Sequence, residues 1–289
     1  MIYRATYQDI EALRNLWKIV FNDSEAFLCR FFQHLFHPGE CFVTRTDGHI
    51  SSMLFLLEAT LSGRKGERPM RYVYACATHP DHRNRGLMGS LLEAAIAYAG
   101  ERGFDLAVVP VNASLFDYYK RFGFTQPIHL YRRAYPPLTV AKAAIPWQKC
   151  LTTTAEMVQM LQTLRSRFWK GKDIVLWPDK HIETVLEELF SENGELLLPE
   201  TGSLLPVGYA LSLPRSGKIE IVECASIFPQ DETITSLRSY YKEQETLFTL
   251  SSGIEQVVEQ SRNAAETPFG LLYSSQLGQS PYLNLALDV

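Results

Sequence analysis

The stretch from Arg71 to Gly103 constrains the fold more than any other part of the sequence, because its hydrophobic pattern changes once. Arg71 to Thr78 is a strand-like run, and from Leu87 the apolar residues follow helical spacing until Gly103, which favours a helix end. A polar loop with two glycines joins the two elements: Arg83, Asn84, Arg85, Gly86, Leu87, Met88 and Gly89. A strand, such a turn and a long amphipathic helix together predict a mixed α/β or α+β sheet.

The remaining elements suggest two domains. Before Arg71 the pattern predicts two helices and a hairpin that turns at Asp47-Gly48. After Gly103 it predicts strand, helix and strand. A weakly patterned stretch bounded by prolines covers 136–146, so we predict domains at 1–135 and 147–289 joined by that linker. The second half repeats the order of helices, hairpin and strand, but its strand leads into a turn without glycine, from Ser226 to Glu232.

Composition excludes several classes of protein. A net charge of -4 and a pI near 6.0 give no reason to expect binding to nucleic acid or to an anionic membrane. The five cysteines are scattered and never form a C-x-x-C pair, so neither disulfides nor a metal site are expected. No stretch approaches the roughly 20 apolar residues needed to cross a bilayer, and no signal core opens the chain, so we predict a cytoplasmic protein.

The loop from Arg83 to Gly89 has the chemistry of an anion site. It lies between a strand and a helix, so its backbone N–H groups would point outward at the positive end of the helix dipole. Gly86 and Gly89 would let an anion approach the backbone, and Arg83 and Arg85 add positive charge. A loop of this kind alone is more often an ordinary solvated turn.

Two motifs in this region resemble the GNAT superfamily of N-acetyltransferases. The first is the loop, which fits the family's Arg/Gln-x-x-Gly-x-Gly/Ala pattern from Arg83 to Leu87 and departs from it at Met88. The second runs from Asn112 to Phe124 and fits Asn-x(6)-Tyr-x(3)-Gly-Phe at every anchor. An Arg-Gly-Leu-Met run and two tandem domains also resemble the enhanced intracellular survival branch, although this chain is shorter. The resemblance implies an acyl-CoA N-acyltransferase fold with a catalytic first domain and a degenerate second one.

The resemblance also implies the reaction and its residues. The acyl donor would be acetyl-CoA, its diphosphate on the loop from Arg83 to Gly89, and the acceptor a primary amine of a small molecule or peptide. The strand residues Cys76, Ala77 and Thr78 would hold the pantetheine and thioester through their backbone. Asn112 and Ser114 would also contact the cofactor, although Asn112 could instead cap the following helix.

Tyr119 occupies the family's general-acid position and would protonate the departing thiolate. Packing beside Phe116 and Phe122 is the structural alternative. Tyr118 is a competitor, but its position predicts a different helix face. Cys76 lacks a histidine partner at a recognisable spacing, so we interpret it as a structural thiol and not a nucleophile.

The sequence leaves the general base open. Glu58, Glu67, His79 and water are candidates. The resemblance to the enhanced intracellular survival branch adds the terminal carboxylate, which here belongs to Val289.

Two further questions stay open at this level. The protein could bind CoA without turnover, as a sensor or structural module, or it could transfer a longer acyl group. The second half could be an unrelated α+β domain.

Overall fold

The computed structural model describes residues 1–63, 66–138, 145–150, 153–169, 174–203, 205–242, 244–250, 265–273 and 283. The chain forms two compact units. Unit 1 comprises Met1–Ile128, Val175–His181 and the described part of Phe269–Ser280, and unit 2 comprises the rest of the described chain. Each unit therefore contains sequence from both halves of the chain.

Unit 1 begins with helices whose ends follow from local chemistry. A capping box links Thr6 to Asp9, Ser24 caps the second helix through the Phe27 amide, and Gly103 ends the third in the left-handed conformation (φ 68°). The elements are β1 (Ile2–Arg4), α1 (Ile10–Phe21), α2 (Glu25–His34), β2 (Cys41–Thr46), β3 (His49–Gly63), β4 (Gly66–Thr78), α3 (Leu87–Arg102), β5 (Asp105–Val108) and α4 (Ser114–Lys120). The hairpin predicted at Asp47-Gly48 is confirmed, because both residues have positive φ between β2 and β3.

The sheet of unit 1 is mixed. Strands β1 to β4 pair antiparallel in sequence order, and β5 pairs parallel to β4, so α3 is the crossover between two parallel strands. Strand β13 (Ala265–Tyr273), from the far end of the chain, pairs antiparallel with β5 through Leu271–Tyr273. A short strand, β8 (Ile174–Leu176), pairs with β3.

Both faces of this sheet are covered. On one face, Trp17 of α1 and Phe31 of α2 pack against Phe55 and Tyr74, with ring centroids 4.7 to 5.8 Å from one another. The other face is an aliphatic cluster beneath α3 and α4, and it includes Tyr119. We call this second set the α3 cluster. Its buried members include Leu54, Leu56, Val73, Leu91, Leu92, Ala95, Leu106, Val108, Phe124 and Leu271.

Unit 2 follows the same order of elements, so the repeat predicted from the sequence is confirmed. Its members are β7 (Trp147–Cys150), α5 (Ala155–Trp169), α6 (Asp179–Ser191), β9 (Glu195–Pro199), β10 (Gly208–Arg215), β11 (Lys218–Ser226), α7 (Gln230–Tyr241) and β12 (Glu245–Leu250). Strands β7, β9, β10 and β11 pair antiparallel in that order, and β12 pairs parallel to β11. These pairings match those of β1 to β5.

The two halves of the sequence exchange strands. Strand β6 (Gln126–Tyr135) follows the first half, yet Tyr131–Tyr135 pair with β12 of unit 2. Strand β13 closes the second half, yet it pairs with β5 of unit 1. The contiguous domain ranges 1–135 and 147–289 remain a prediction, and the compact units of the structure are discontinuous in sequence.

No helix among the described residues combines the length and the apolar character needed to cross a membrane.

Candidate active site

Strands β4 and β5 separate in the middle of the sheet of unit 1. They pair from Met70↔Asp105 to Val73↔Val108, where β5 ends. Strand β4 continues to Thr78 alongside β3. The side of Tyr74–Thr78 that faces away from β3 is therefore a strand edge beyond the end of β5, and such an edge can pair with an extended ligand.

A bulge marks the start of this open edge. Tyr74 pairs with Phe55 and Ala77 with Met53, so Ala75 and Cys76 together face a single residue of β3. Ala75 has a φ of 46°, in the left-handed region, which costs a residue with a Cβ about 1 kcal/mol or more. Because bulges turn the backbone out of its regular direction, the amides beside Cys76 need not point at β3.

The anion loop follows directly from the end of β4. Asn84 (φ 61°) and Gly86 (φ 73°) are both left-handed, and alternation of this kind gathers backbone N–H groups into a concave nest. A Cβ on Gly86 would meet no atom within 4 Å, so the space outside the loop is open. The first helical hydrogen bond runs from the Ser90 amide to the Gly86 carbonyl, which leaves the amides of the preceding turn pointing outward.

The arginines of the loop are exposed and held by backbone carbonyls. The Arg83 Nε donates to the Thr78 carbonyl at 3.3 Å, and the Arg85 Nη2 donates to the Asp81 carbonyl at 3.0 Å. Both guanidinium groups retain further donors, because a guanidinium has five N–H groups. The loop thus combines outward amides with two exposed positive charges, as an anion site requires.

The structure explains Met88 and Gly89 differently from the sequence. Met88, which departs from the family pattern, packs its side chain against the α3 cluster. A Cβ on Gly89 would lie 3.1 Å from the Cζ of Phe122 and 3.9 Å from the hydroxyl of Tyr118. Gly89 therefore makes room for the Phe122 ring, in the turn after α4, in addition to the access for an anion that the sequence predicts.

Helix α4 brings Tyr119 to the bulge. Tyr119 is buried in the α3 cluster, only 6% exposed, and its phenol is hydrogen-bonded to the Cys76 thiol. Tyr119 is therefore a packed aromatic whose hydroxyl also reaches the strand edge, and its role as an acid stays a prediction. A sulfur atom already accepts from this phenol at the place where the edge opens.

The protonation states of this pair follow from their surroundings. Burial raises the pKa of Tyr119 well above its ordinary value of 10.0, and the neighbouring Cys76 raises it further. Burial also raises the pKa of the Cys76 thiol to about 12, partly offset by the hydrogen bond from Tyr119. At neutral pH both groups are protonated, so the geometry offers a phenol donor and no thiolate nucleophile.

Asn112 and Ser114 lie at the junction between β5 and α4. The Ser114 hydroxyl donates to the Asn112 carboxamide oxygen at 2.6 Å, and both residues are exposed. The helix cap of α4 is Ala113, without a side-chain capping bond. The Asn112 side chain is thus held by Ser114 and does not cap the helix.

The Gly-Phe pair that ends the second motif has a packing role. Gly123 has a φ of 92°, and a Cβ on it would lie 2.7 Å from the Cε2 of Tyr273 in β13. Gly48 has a similar φ of 81° and open space around it, so it isolates the backbone effect.

We expect Gly123→Ala to lower the free energy of unfolding by about 2 kcal/mol, from left-handed strain plus the ring contact, and Gly48→Ala by about 1 kcal/mol. Urea unfolding measures both. Equal losses for the two variants would mean that the Tyr273 ring imposes no constraint on Gly123.

The carboxylates considered as general base lie far from Cys76 along β4. Glu58 pairs with Arg71, five residues from Cys76 and so about 17 Å along the strand, and Glu67 is about 30 Å away. The His79 Nδ1 accepts from the Asp81 amide at 3.3 Å, at the loop end of the strand. The Val289 carboxylate lies outside the described residues. Within the described chain, these positions disfavour Glu58 and Glu67 and leave His79 and water as candidates.

The corresponding part of unit 2 is filled by its own side chains. Strand β11 keeps a bulge, between Ile221 and Glu223, but Glu223 is fully buried against Arg165 at 2.8 Å. The helix that follows, α7, begins with Asp231 and Glu232 in its first turn. Two carboxylates at a helix start disfavour an anion there, so the described turn between β11 and α7 is not a counterpart of the Arg83–Gly89 loop.

A cavity of about 480 Å³ lies elsewhere in unit 1. It is lined by the end of α2, by Leu56–Glu58 of β3, by Arg71 and by residues from Pro178 to His181. None of the residues Tyr74–Thr78 lines it, so it is separate from the open edge at Cys76. Among the described residues, no group of His, Cys, Asp or Glu is placed to hold a metal ion.

The N-terminal part of the chain matches a known family. Residues 1–126 match the family model of the acetyltransferase (GNAT) domain, which confirms the resemblance inferred from the two motifs. No curated protein matches the sequence significantly.

Solved structures extend the likeness to nearly the whole chain. A GCN5-related N-acetyltransferase from Anabaena variabilis aligns with a TM-score of 0.71 at 13% identity, covering 94% of this chain and 72% of that one. One from Kribbella flavida gives 0.69 at 14%, covering 94% and 70%. Eis1 from Mycobacterium abscessus gives 0.66 at 15%, covering 94% and 73%. The chain therefore has the GNAT fold, and the family and fold together support acyl transfer as its general activity.

Proposed function

We propose that this protein is an N-acetyltransferase that moves the acetyl group of acetyl-CoA to a primary amine of a small molecule or peptide, by direct transfer in a ternary complex. The observation that carries this proposal is the Tyr119 phenol, hydrogen-bonded to the Cys76 sulfur where β4 and β5 separate. A protonated donor beside an open strand edge is what a departing thiolate needs.

The cofactor site fits the residues present. The Arg83–Gly89 loop would take the diphosphate through the outward amides of α3, with Arg83 and Arg85 contributing charge. The backbone of Cys76, Ala77 and Thr78 would hold the pantetheine as an added strand. Asn112 and Ser114, exposed at the end of β5, would contact the cofactor next to it.

Acetyl-CoA supplies, when bound, an activated acyl group with a thiol as leaving group. The bulged amide beside Cys76 donates to the carbonyl oxygen as negative charge develops there. Tyr119 would give its proton to the leaving sulfur as the amine nitrogen replaces it on the acyl carbon. The phenolate then recovers a proton from the acylated nitrogen, through water, so atoms and charge balance.

Two measurements test the proposal. Calorimetry with CoA detects binding, and a thiol-release assay with acetyl-CoA and a panel of amines detects turnover. Binding without thiol release for any amine would favour a CoA-binding module without turnover. No heat with CoA would end the proposal. Thiol release that is faster with propionyl-CoA or a longer donor would replace acetyl by that acyl group.

The pH dependence is a separate expectation. Because burial raises the pKa of Tyr119 well above 10.0, the acid stays protonated while the acceptor amine loses its proton. We therefore expect kcat to rise from pH 6 and to hold level up to pH 10, measured in overlapping buffers with acetyl-CoA saturating. A fall in kcat with an apparent pKa below 10 would contradict Tyr119 as the acid.

A further inference from the structure

Tyr118 packs against the α3 cluster, beside the phenol that the proposed function uses as an acid. It precedes Tyr119 in α4, and the two rings are 5.5 Å apart in an edge-to-face arrangement. Burial, and after it the nearby Cys76, raises the pKa of both phenols. Tyr118 and Tyr119 are therefore neighbouring phenols of α4, of which Tyr119 is buried in the α3 cluster and Tyr118 is partly buried against it.

The two hydroxyls nevertheless reach different parts of the site. Tyr119 reaches the bulge at Cys76, whereas the Tyr118 hydroxyl would be 3.9 Å from a Cβ on Gly89, in the first turn of α3. That turn carries the outward amides that precede Ser90. Tyr118 thus places a hydroxyl beside the first turn of α3, which follows the anion loop.

The surroundings of Tyr118 keep its phenol a donor near positive charge. Burial and Cys76 raise its pKa, and Arg121 opposes them. The Arg121 guanidinium lies 5.1 Å from the centre of the Tyr118 ring. A half-buried, protonated hydroxyl beside the first turn of α3, on a ring that carries a cation 5.1 Å from its centre, suits a phosphate oxygen.

We propose that Tyr118 binds the acyl donor by donating a hydrogen bond from its hydroxyl to the diphosphate, at the phosphate that carries the pantetheine. This inference rests on the proposed function, because it assigns a contact to the same cofactor. It also gives a second reason for a glycine at position 89, which lies next to the Tyr118 hydroxyl. A Cβ there would press on the Phe122 ring at 3.1 Å and would stand in van der Waals contact, at 3.9 Å, with the Tyr118 hydroxyl.

The test compares Tyr118→Phe with the wild type and with Tyr7→Phe, whose ring is 68% exposed on a remote short helix. Calorimetry uses two probes: CoA, and adenosine 3′,5′-bisphosphate, which lacks the diphosphate and the pantetheine. We expect Tyr118→Phe to weaken CoA binding about 10-fold and to leave the bisphosphate unchanged, since a hydrogen bond to a charged group is lost. Tyr7→Phe should match the wild type with both probes.

Steady-state kinetics separate this role from acid catalysis. Tyr118→Phe should raise KM for acetyl-CoA about 10-fold with kcat within twofold of wild type. The inference is overturned if the variant binds CoA as the wild type does, if it loses the bisphosphate equally, or if it lowers kcat at unchanged KM. Absence of CoA binding by the wild type would instead remove the proposed function itself.

Discussion

Replacing Tyr119 by Phe should lower kcat for thiol release by about 100-fold or more, because a positioned general acid contributes at least that much. The substitution removes one oxygen atom and leaves the ring in the α3 cluster, so CoA affinity and the unfolding midpoint should stay close to wild type. The assay follows CoA thiol release at saturating acetyl-CoA. Calorimetry with CoA and urea unfolding verify that binding and fold survive.

Two comparisons make this result specific. Tyr7→Phe removes an exposed phenol elsewhere in unit 1 and should retain full activity. Tyr118→Phe should change KM and leave kcat, whereas Tyr119→Phe should do the reverse. If Tyr119→Phe keeps kcat within threefold of wild type, the phenol does not protonate the leaving group, and water at the strand edge becomes the proton source.

Glu223→Gln in unit 2 should lower the free energy of unfolding by about 3 to 5 kcal/mol, the cost of leaving one charge of a buried pair uncompensated. Glu223 and Arg165 are both fully buried, and they are joined at 2.8 and 3.3 Å. The Tyr209 hydroxyl also donates to Glu223 at 2.7 Å and accepts from the Trp169 indole at 3.3 Å. Urea unfolding followed by circular dichroism measures the loss.

An exposed ion pair in the same sheet is the matched control. Lys218 and Glu245 join β11 to β12 at 2.7 Å, but their side chains are 49% and 34% exposed. Glu245→Gln should therefore change the free energy of unfolding by less than about 1 kcal/mol. If Glu223→Gln and Glu245→Gln lower the free energy of unfolding equally, burial does not increase the cost of breaking the Arg165–Glu223 pair.

A double variant separates the charge from the packing. Arg165→Met combined with Glu223→Leu removes both charges while retaining apolar volume, and such replacements are often neutral or stabilising. The double variant should be more stable than Glu223→Gln alone. A loss equal to or greater than that of the single variant would assign the stability to the hydrogen-bond geometry of the network, including Tyr209.

Local elements of the fold were predictable because their causes are local. The residues Asp47-Gly48 favour positive φ and so form a tight turn from four residues of sequence. Gly103 also adopts positive φ, and it ends α3. The apolar spacing that predicts α3 repeats with every helix turn after Leu87. The Arg83–Gly89 loop and the motif that contains Tyr119 were also predictable, since the residues that define each motif lie close together in the sequence. In the structure, Tyr119 and Cys76 meet although 42 residues separate them.

Other features depend on contacts that no local pattern encodes. Val175–His181 belong to unit 1, where Trp177 packs against Tyr72 at 5.6 Å, but the hydrophobic run around Trp177 is typical of any buried segment. The role of Gly89 depends on Phe122, in the turn that follows α4. The placement of Tyr118 depends on how α4 is seated on α3. Each requires the distance between two elements, which periodicity does not supply.

The strand exchange has a consequence for how this protein can be divided. A polypeptide stopped at residue 138 would lack Leu271–Tyr273, the neighbours of β5, and the ring that packs on Gly123. The complementary polypeptide would lack β6, the neighbour of β12. Each polypeptide alone would expose an unpaired strand edge, and such edges self-associate. We therefore expect the two polypeptides to fold only when they are produced together.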